Sequence, residues 1–380
     1  MIIEMSSIDT LFFRDAKSFR MIEDNWAEGI FPPNPLTIYG ALRAEYFSNH
    51  LGDFSKRETN EDPSLNLRIK GIFISKDDEV FVPLPNDIVI SKDSEEPVVQ
   101  KLKLIALSDQ PGVLSSYDYP YILKTDNNVE NIQDGWIKIR DLLYYLKNDT
   151  IADKLNIEPQ DPNEIDSSSN YSIIRLSNHL INEPKIGIKI SKETGTAEEQ
   201  YLYSLIRKRL KDIDLIINFE GIDISDDGIV RLGGRNGKVQ FRKLEENELK
   251  SNQIIDFLGF KSQNLDDLKN NLENNEDFFI KIYFATPTIF HEIYHPNFQQ
   301  FLQTKLEVIG CVLDKPIYVG GFNMKEGHPR PMFKALNSGS IYYLKSNKKF
   351  IGKIDMNTNL SDQWKERGFG IFSIGQIKKI

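Results

Sequence analysis

His291-Glu292-Ile293-Tyr294-His295 has the residue types of a zinc hydrolase: two imidazoles spaced to bind a metal, and a glutamate to act as base. That chemistry needs a helix, where the two histidines share one face a turn apart. Pro296 follows the second histidine and pushes it out of the helical region. Pro287 lies just upstream, and the segment leads out of an aromatic strand. The motif lacks its structural context, and we expect neither a metal nor any other cofactor. His50, His179 and His328 are isolated in sequence and read as structural or surface histidines. A general acid–base role, as in a metal-independent ribonuclease, is the alternative for them. No serine or cysteine is set among partners that would make it a nucleophile.

Anion binding has better candidates. Gly233-Gly234-Arg235-Asn236-Gly237-Lys238 resembles a phosphate loop, but Val239 stands where a nucleotidase loop needs Ser or Thr. As a nest of backbone amides beside Arg231, Arg235, Lys238 and Arg242 it suits phosphate oxygens. Arg14 and Lys17 flank Asp15 just before a helix start, and serve either an anion contact or a loop salt bridge. Near the carboxyl end, Arg367-Gly368-Phe369-Gly370 interrupts a strand, and glycine there marks a close approach to the backbone. On one reading the glycines admit phosphates, Arg367 supplies charge and Phe369 stacks on a base. On the other, Phe369 points into a core and the glycines permit tight packing.

Net charge is −9, which argues against a chain that simply coats nucleic acid. The charge is segregated, however. Gly228–Leu244, Tyr201–Lys211 and Tyr342–Lys353 are basic runs without an acid, and the acids collect elsewhere. With 40% apolar residues the chain can build sizeable cores. The lone Cys311 excludes an intrachain disulfide and suits a reducing cytoplasm. No apolar run approaches the ~18 residues of a membrane span, and the amino end has no basic n-region, so neither membrane contact nor a signal peptide is expected.

These residues need elements to hold them. Met1–Phe13 reads as a strand. Pro35 opens a helix capped by Asn34 and closed near Gly52. Leu67–Pro85 reads as a hairpin turning at Lys76-Asp77-Asp78. Residues 92–193 read as an insertion with short helices, one around Trp136–Lys147. A helix over Ala197–Lys211, with Leu202, Leu205, Ile206 and Leu210 on one stripe, and a strand over Asp214–Gly221 would complete a βαββαβ unit. Residues 249–275 read as a linker. A second, degenerate unit over 276–380 would hold a strand from Phe278, a helix over Pro296–Gly310, and strands at Lys315–Phe322, Ser338–Ser346 and Gly368–Gln376. The class is α+β, with domains at 1–248 and 276–380.

Seven stretches occur in an order that carries a resemblance: DTLFFRDAKSF, FPPNPLTIYGALRA, KIGIKISKETGTAEEQYLY, RLGGRNGKV, FATPTIF, PRPMFKALNSGSIYYL and RGFGIFSIG. Spanning Asp9 to Gly375, they resemble the family of the third subunit of the Cmr complex, the type III-B CRISPR interference machine. That family belongs to the RAMP superfamily of paired ferredoxin-like (RRM-like) domains. The resemblance implies a non-catalytic, cytoplasmic subunit that holds the 5′ tag of the CRISPR RNA. Its implied partners are the large polymerase-like subunit and a backbone RAMP subunit. It carries over to Gly233–Lys238 and to Gly368, Phe369 and Gly370 as RNA contacts. Lys189 and Arg330, within the resembling stretches, join Arg14, Lys17, Arg231, Arg242 and Arg367 as further contacts. Asn337-Ser338 departs from the Pro-Ala expected there. An endoribonuclease of the same superfamily and a purely protein-bridging subunit are the alternatives.

Overall fold

The computed structural model describes residues 1–14, 26–92, 97–113, 118–152, 155–166, 168–190, 196–271, 277–302, 305–323, 327–347 and 358–377. Lys17 and the lysines at 348, 349 and 353 lie outside the described residues, and of Lys189 only the backbone is described. The fold is α+β, with many antiparallel strands and few helices. Two compact units interleave in sequence. One comprises Met1–Ile69, His179–Leu244 and Tyr318–Phe333; the other comprises Lys70–Asn178, Glu245–Ile317 and Lys334–Ile380. This grouping differs from the sequential 1–248 and 276–380 division.

In the first unit, strands Asp214–Glu220, Ile2–Ser7, Lys238–Lys243 and Asp227–Arg231 follow one another across an antiparallel sheet. Pleating sends Ile3, Met5, Leu215, Ile217, Val230, Val239 and Phe241 to one buried face. Helix Pro35–Asn49 packs against the Asp227–Arg231 strand. It starts as the sequence dictates: the Asn34 side chain accepts the Leu36 N–H at 3.0 Å, and Pro35 occupies the first turn. It ends at Asn49, before Gly52.

The expected helix at Ala197–Lys211 is instead strand Ala197–Leu210, paired antiparallel with Leu180–Ile190 in a long ribbon. Trp26–Glu28 adds to it in parallel. The stripe that suggested a helix is short, and long-range pairing overrides so weak a local preference. Leu11 ties this ribbon to the amino-terminal segment by exchanging backbone hydrogen bonds with Lys208 at 2.7 and 2.8 Å.

In the second unit, strands Glu307–Val312, Ile341–Asn347, Asp277–Phe284 and Phe372–Gln376 form an antiparallel sheet in that order. The expected helix over Pro296–Gly310 is confined to Phe298–Leu302, because Glu307–Val312 pairs as a strand with a bulge between Val308 and Gly310. The stretch read as a linker is helix Leu249–Asn271. Its Ile254, Phe257 and Leu265 are buried, and Phe257 meets Phe73 edge to face at 5.5 Å. Gln253 accepts the Val80 N–H and donates to the Asp78 carbonyl, both at 2.9 Å, which ties the Glu79–Pro83 strand to this helix. Within the insertion, Gly135–Lys138 is a strand and Ile139–Asn148 the anticipated helix.

A charged group lies deep in this unit. Lys281, fully buried, sits mid-sheet between Tyr343 and Gly375. Its ammonium donates to Asp149 Oδ1 at 2.7 Å and lies 3.6 Å from the centre of the Tyr145 ring. Lys101 shares the same carboxylate. Burial, only partly offset by Asp87 and Asp149, lowers the Lys281 pKa to about 8. Burial works against the Asp149 carboxylate, yet Lys281 and Lys101 outweigh it and hold its pKa below the usual range. Buried Asp87 accepts from the hydroxyls of Tyr145 and Tyr343. Gly375 makes room for the lysine stem: a Cβ there would lie 2.8 Å from Lys281 Cγ.

Candidate nucleic-acid interface

The Gly233–Lys238 stretch is the reversal of a hairpin, not the strand-to-helix loop of a nucleotidase. Asp227–Arg231 runs in and Lys238–Lys243 runs out. Arg235 and Asn236 both have positive φ, 58° and 60°, as the two central residues of a type I′ turn require. The Gly237 N–H reaches the Gly234 carbonyl at 3.3 Å. Gly233, at φ 83°, lies against the amino-terminal segment, where a Cβ would meet the Phe12 carbonyl oxygen at 2.7 Å. Gly234 then donates to that carbonyl at 2.9 Å. Exposed Arg14 follows Phe13 on the same anchored segment.

The outer face of this hairpin is cationic. Arg231 and Lys238 are exposed and lie directly opposite each other, and neither forms an ion pair among the described residues. Like charges in that position repel. Arg235 is exposed at the turn between them. Arg242 differs from its expected role as a phosphate contact. Its guanidinium donates to Glu4 Oε2 at 2.8 and 3.0 Å, and Glu4 is buried beside it, so its charge is already matched.

Behind the turn, the ribbon distributes its cations by the two-residue period of a strand. Lys208 donates to Glu28 and Asn182, each at 2.7 Å. Arg209 pairs with Glu183 and, at 3.5 Å, with Asp9. Arg207 has no ion pair among the described residues and reaches the Arg235 carbonyl at 3.4 Å. Sequence reading missed Arg207 as an individual residue. The acid-free run around it was visible, but a helical period scatters these three cations differently from a strand.

The other candidates lie elsewhere. Arg330 is half-buried, and its N–H donates to the Gly321 carbonyl at 2.8 Å within the first unit. Arg367 to Gly370 belong to the second unit. There Phe369 is fully buried, 5.4 Å from the Trp364 ring, which corrects the stacking role considered for it. What approaches Gly370 is the protein itself. Gly370 has φ 71° and exchanges hydrogen bonds with Pro287 and Leu360, and a Cβ on it would lie 2.1 Å from the Leu360 carbonyl oxygen. Arg367, half-buried, borders this packed turn.

His291–His295 runs as a series of bends, so its imidazoles do not share a helical face. The His291 N–H instead donates to Asp362 at 2.7 Å. Among the described residues no group of three or more His, Cys, Asp or Glu side chains is placed to hold a metal ion. His50 stacks on Tyr46 and contacts its carbonyl at 2.9 Å, His179 is buried, and His328 lies 2.9 Å from the Pro329 carbonyl. No helix among the described residues is long and apolar enough to cross a membrane.

The chain is thus α+β with antiparallel sheets, and one hairpin face carries Arg231 and Lys238 without an ion pair among the described residues. The model of the CRISPR-associated protein (Cas_Cmr3) family matches residues 3–377. The chain belongs to this family, that of the third subunit of the type III-B Cmr complex. No curated protein matches it. Among solved structures it is similar to a chain of the type III-B Cmr-beta complex bound to cognate target RNA and AMPPnP. The identity is 16% and the TM-score 0.45, over 92% of this chain and 86% of that one. It is also similar to a chain of the Csm3–Csm4 subcomplex of the type III-A interference complex, at 11% identity and TM-score 0.37, over 100% and 99% of the two chains.

Proposed function

We propose that this subunit is a non-catalytic RNA-holding component of its complex and grips the 5′ tag of the CRISPR RNA through the first unit. The reading rests on one observation: Arg231 and Lys238 face each other across an exposed hairpin mouth, and among the described residues no acid pairs with either. A phosphodiester between them would turn a repulsive pair into a clamp. Arg235 at the turn and Arg14 beside it extend the same positive surface. The large polymerase-like subunit and a backbone RAMP subunit are the proposed protein partners. Architecturally we read the two units as descendants of paired ferredoxin-like domains, with the ribbon standing where a second helix was expected.

The test is RNA retention in the assembled complex. The double variant Arg231→Ser/Lys238→Ser should lower affinity about tenfold or more and flatten its salt dependence by roughly 0.7 log units per lost phosphate contact. Unchanged retention and slope would refute the clamp and give the face to an acidic protein surface instead.

A further inference from the structure

Of the three consecutive cations on the ribbon, two are ion-paired with acids and, among the described residues, one is not. Lys208 and Arg209 have carboxylate partners. Among the described residues Arg207 Nε is buried and finds no acceptor, and Nη2 makes a long contact to the Arg235 carbonyl at 3.4 Å. A buried guanidinium N–H without an acceptor is costly and rare. The arrangement is also directional. Arg207 is opposite Glu183 in register, but Glu183 is turned to Arg209, which leaves Arg207 against the cationic turn, with Asp9 near enough to feel its charge but not in an ion pair with it.

Resting on the RNA-holding reading, we infer that Arg207 is a second phosphate-binding position, linking the ribbon to the Gly234–Gly237 turn. Its ligand is a phosphate oxygen of the single strand that passes the Arg231–Lys238 pair. The two outer nitrogens of the guanidinium lie in one plane and can hold two oxygens of one phosphodiester, whereas a lysine offers a point charge; the buried Nε stays on the protein side. The anchored Leu11–Phe13 segment, bonded to Lys208 on one side and Gly234 on the other, fixes the distance between the ribbon and the turn. The backbones that carry Arg207 and the turn are therefore already held together without RNA.

The experiment is fluorescence anisotropy of a 5′-labelled single-stranded oligoribonucleotide with the full-length chain over a salt series. It compares wild type, Arg207→Gln, Arg207→Lys and the Arg231→Ser/Lys238→Ser variant, with melting curves for each. Support is an about tenfold loss for Arg207→Gln, a salt slope lower by about 0.7, and only partial recovery in Arg207→Lys. Inorganic phosphate added to wild type should compete only at concentrations far above those of the oligonucleotide. Competition at equal phosphate concentration would mean a free-anion site and overturn the inference. If the double variant weakens binding while both Arg207 variants bind as wild type, the inference falls and the RNA-holding reading stands. A fall in melting temperature with an unmoved salt slope makes Arg207 structural and also overturns it. Absence of wild-type binding sinks both.

Discussion

Replacing Lys281 by methionine should change how stability depends on pH. In the folded chain this lysine loses its proton near pH 8, against about 10.5 when exposed. Between those values the unfolded chain still holds the proton and the folded chain has released it, so folding becomes more favourable as pH rises. Below pH 8 the full cost of burying the charge is carried. The difference of about 2.5 pKa units corresponds to about 3 kcal/mol. Methionine matches the length of the stem that crosses Gly375, and Asp149 keeps Lys101 as its partner. Near pH 7 two effects oppose each other, relief from burying the ammonium and loss of a cation beside the buried Asp87 and Asp149, so the prediction lies in the pH slope and not in the level at pH 7. The assay is urea unfolding of both proteins from pH 7 to 10.5. Groups away from this cluster titrate alike in the two, so the difference curve reports Lys281 together with the neighbours that share its carboxylates. It should shift by about 3 kcal/mol in favour of wild type across this range. A flat difference curve would refute the argument that desolvation dominates at this site.

Other outcomes follow from the packing. Gly370→Ala must push its methyl into the Leu360 carbonyl at positive φ, and should cost more than about 3 kcal/mol, read as a lowered melting temperature; an unchanged melt would refute the assigned turn. Phe369→Ala should destabilise by about 3–5 kcal/mol yet leave RNA affinity per folded molecule unchanged, whereas selective loss of affinity would restore its stacking role. Asn34→Ala should cost about 1 kcal/mol through the lost helix cap, measured by the same urea titration. Gly233→Ala should disturb both the turn and the Phe12 segment and weaken RNA retention together with stability; retention unaffected by the change would separate the turn from the grip.

Local chemistry was legible wherever it was self-contained. Asn34-Pro35 announces its helix start, because cap and first turn lie within a few residues. Asp77-Asp78 turns its hairpin, with Asp77 at φ 54°. Pro296 disqualified the zinc motif, and the ordered motifs identified the family. The cationic Gly228–Leu244 run was visible as charge, but which of its members remain available was not. Arg242 is matched by Glu4, more than two hundred residues away, and Arg231 is not. That difference exists only once strands are paired in register.

The same holds for the larger errors. Tyr201–Lys211 fits a helical stripe over a few residues, and only its pairing with Leu180–Ile190 decides for a strand. Leu249–Asn271 looked like a polar connection until Phe73 and the sheet supplied a surface for Phe257. The Gly-Phe-Gly stretch announced that something approaches its backbone. It did not say whether that something is RNA or Leu360. Sequence determines local propensity, capping, charge and family; which charges are neutralised and which rings are buried depends on contacts between distant segments, because burial and ion pairing are properties of neighbours in space.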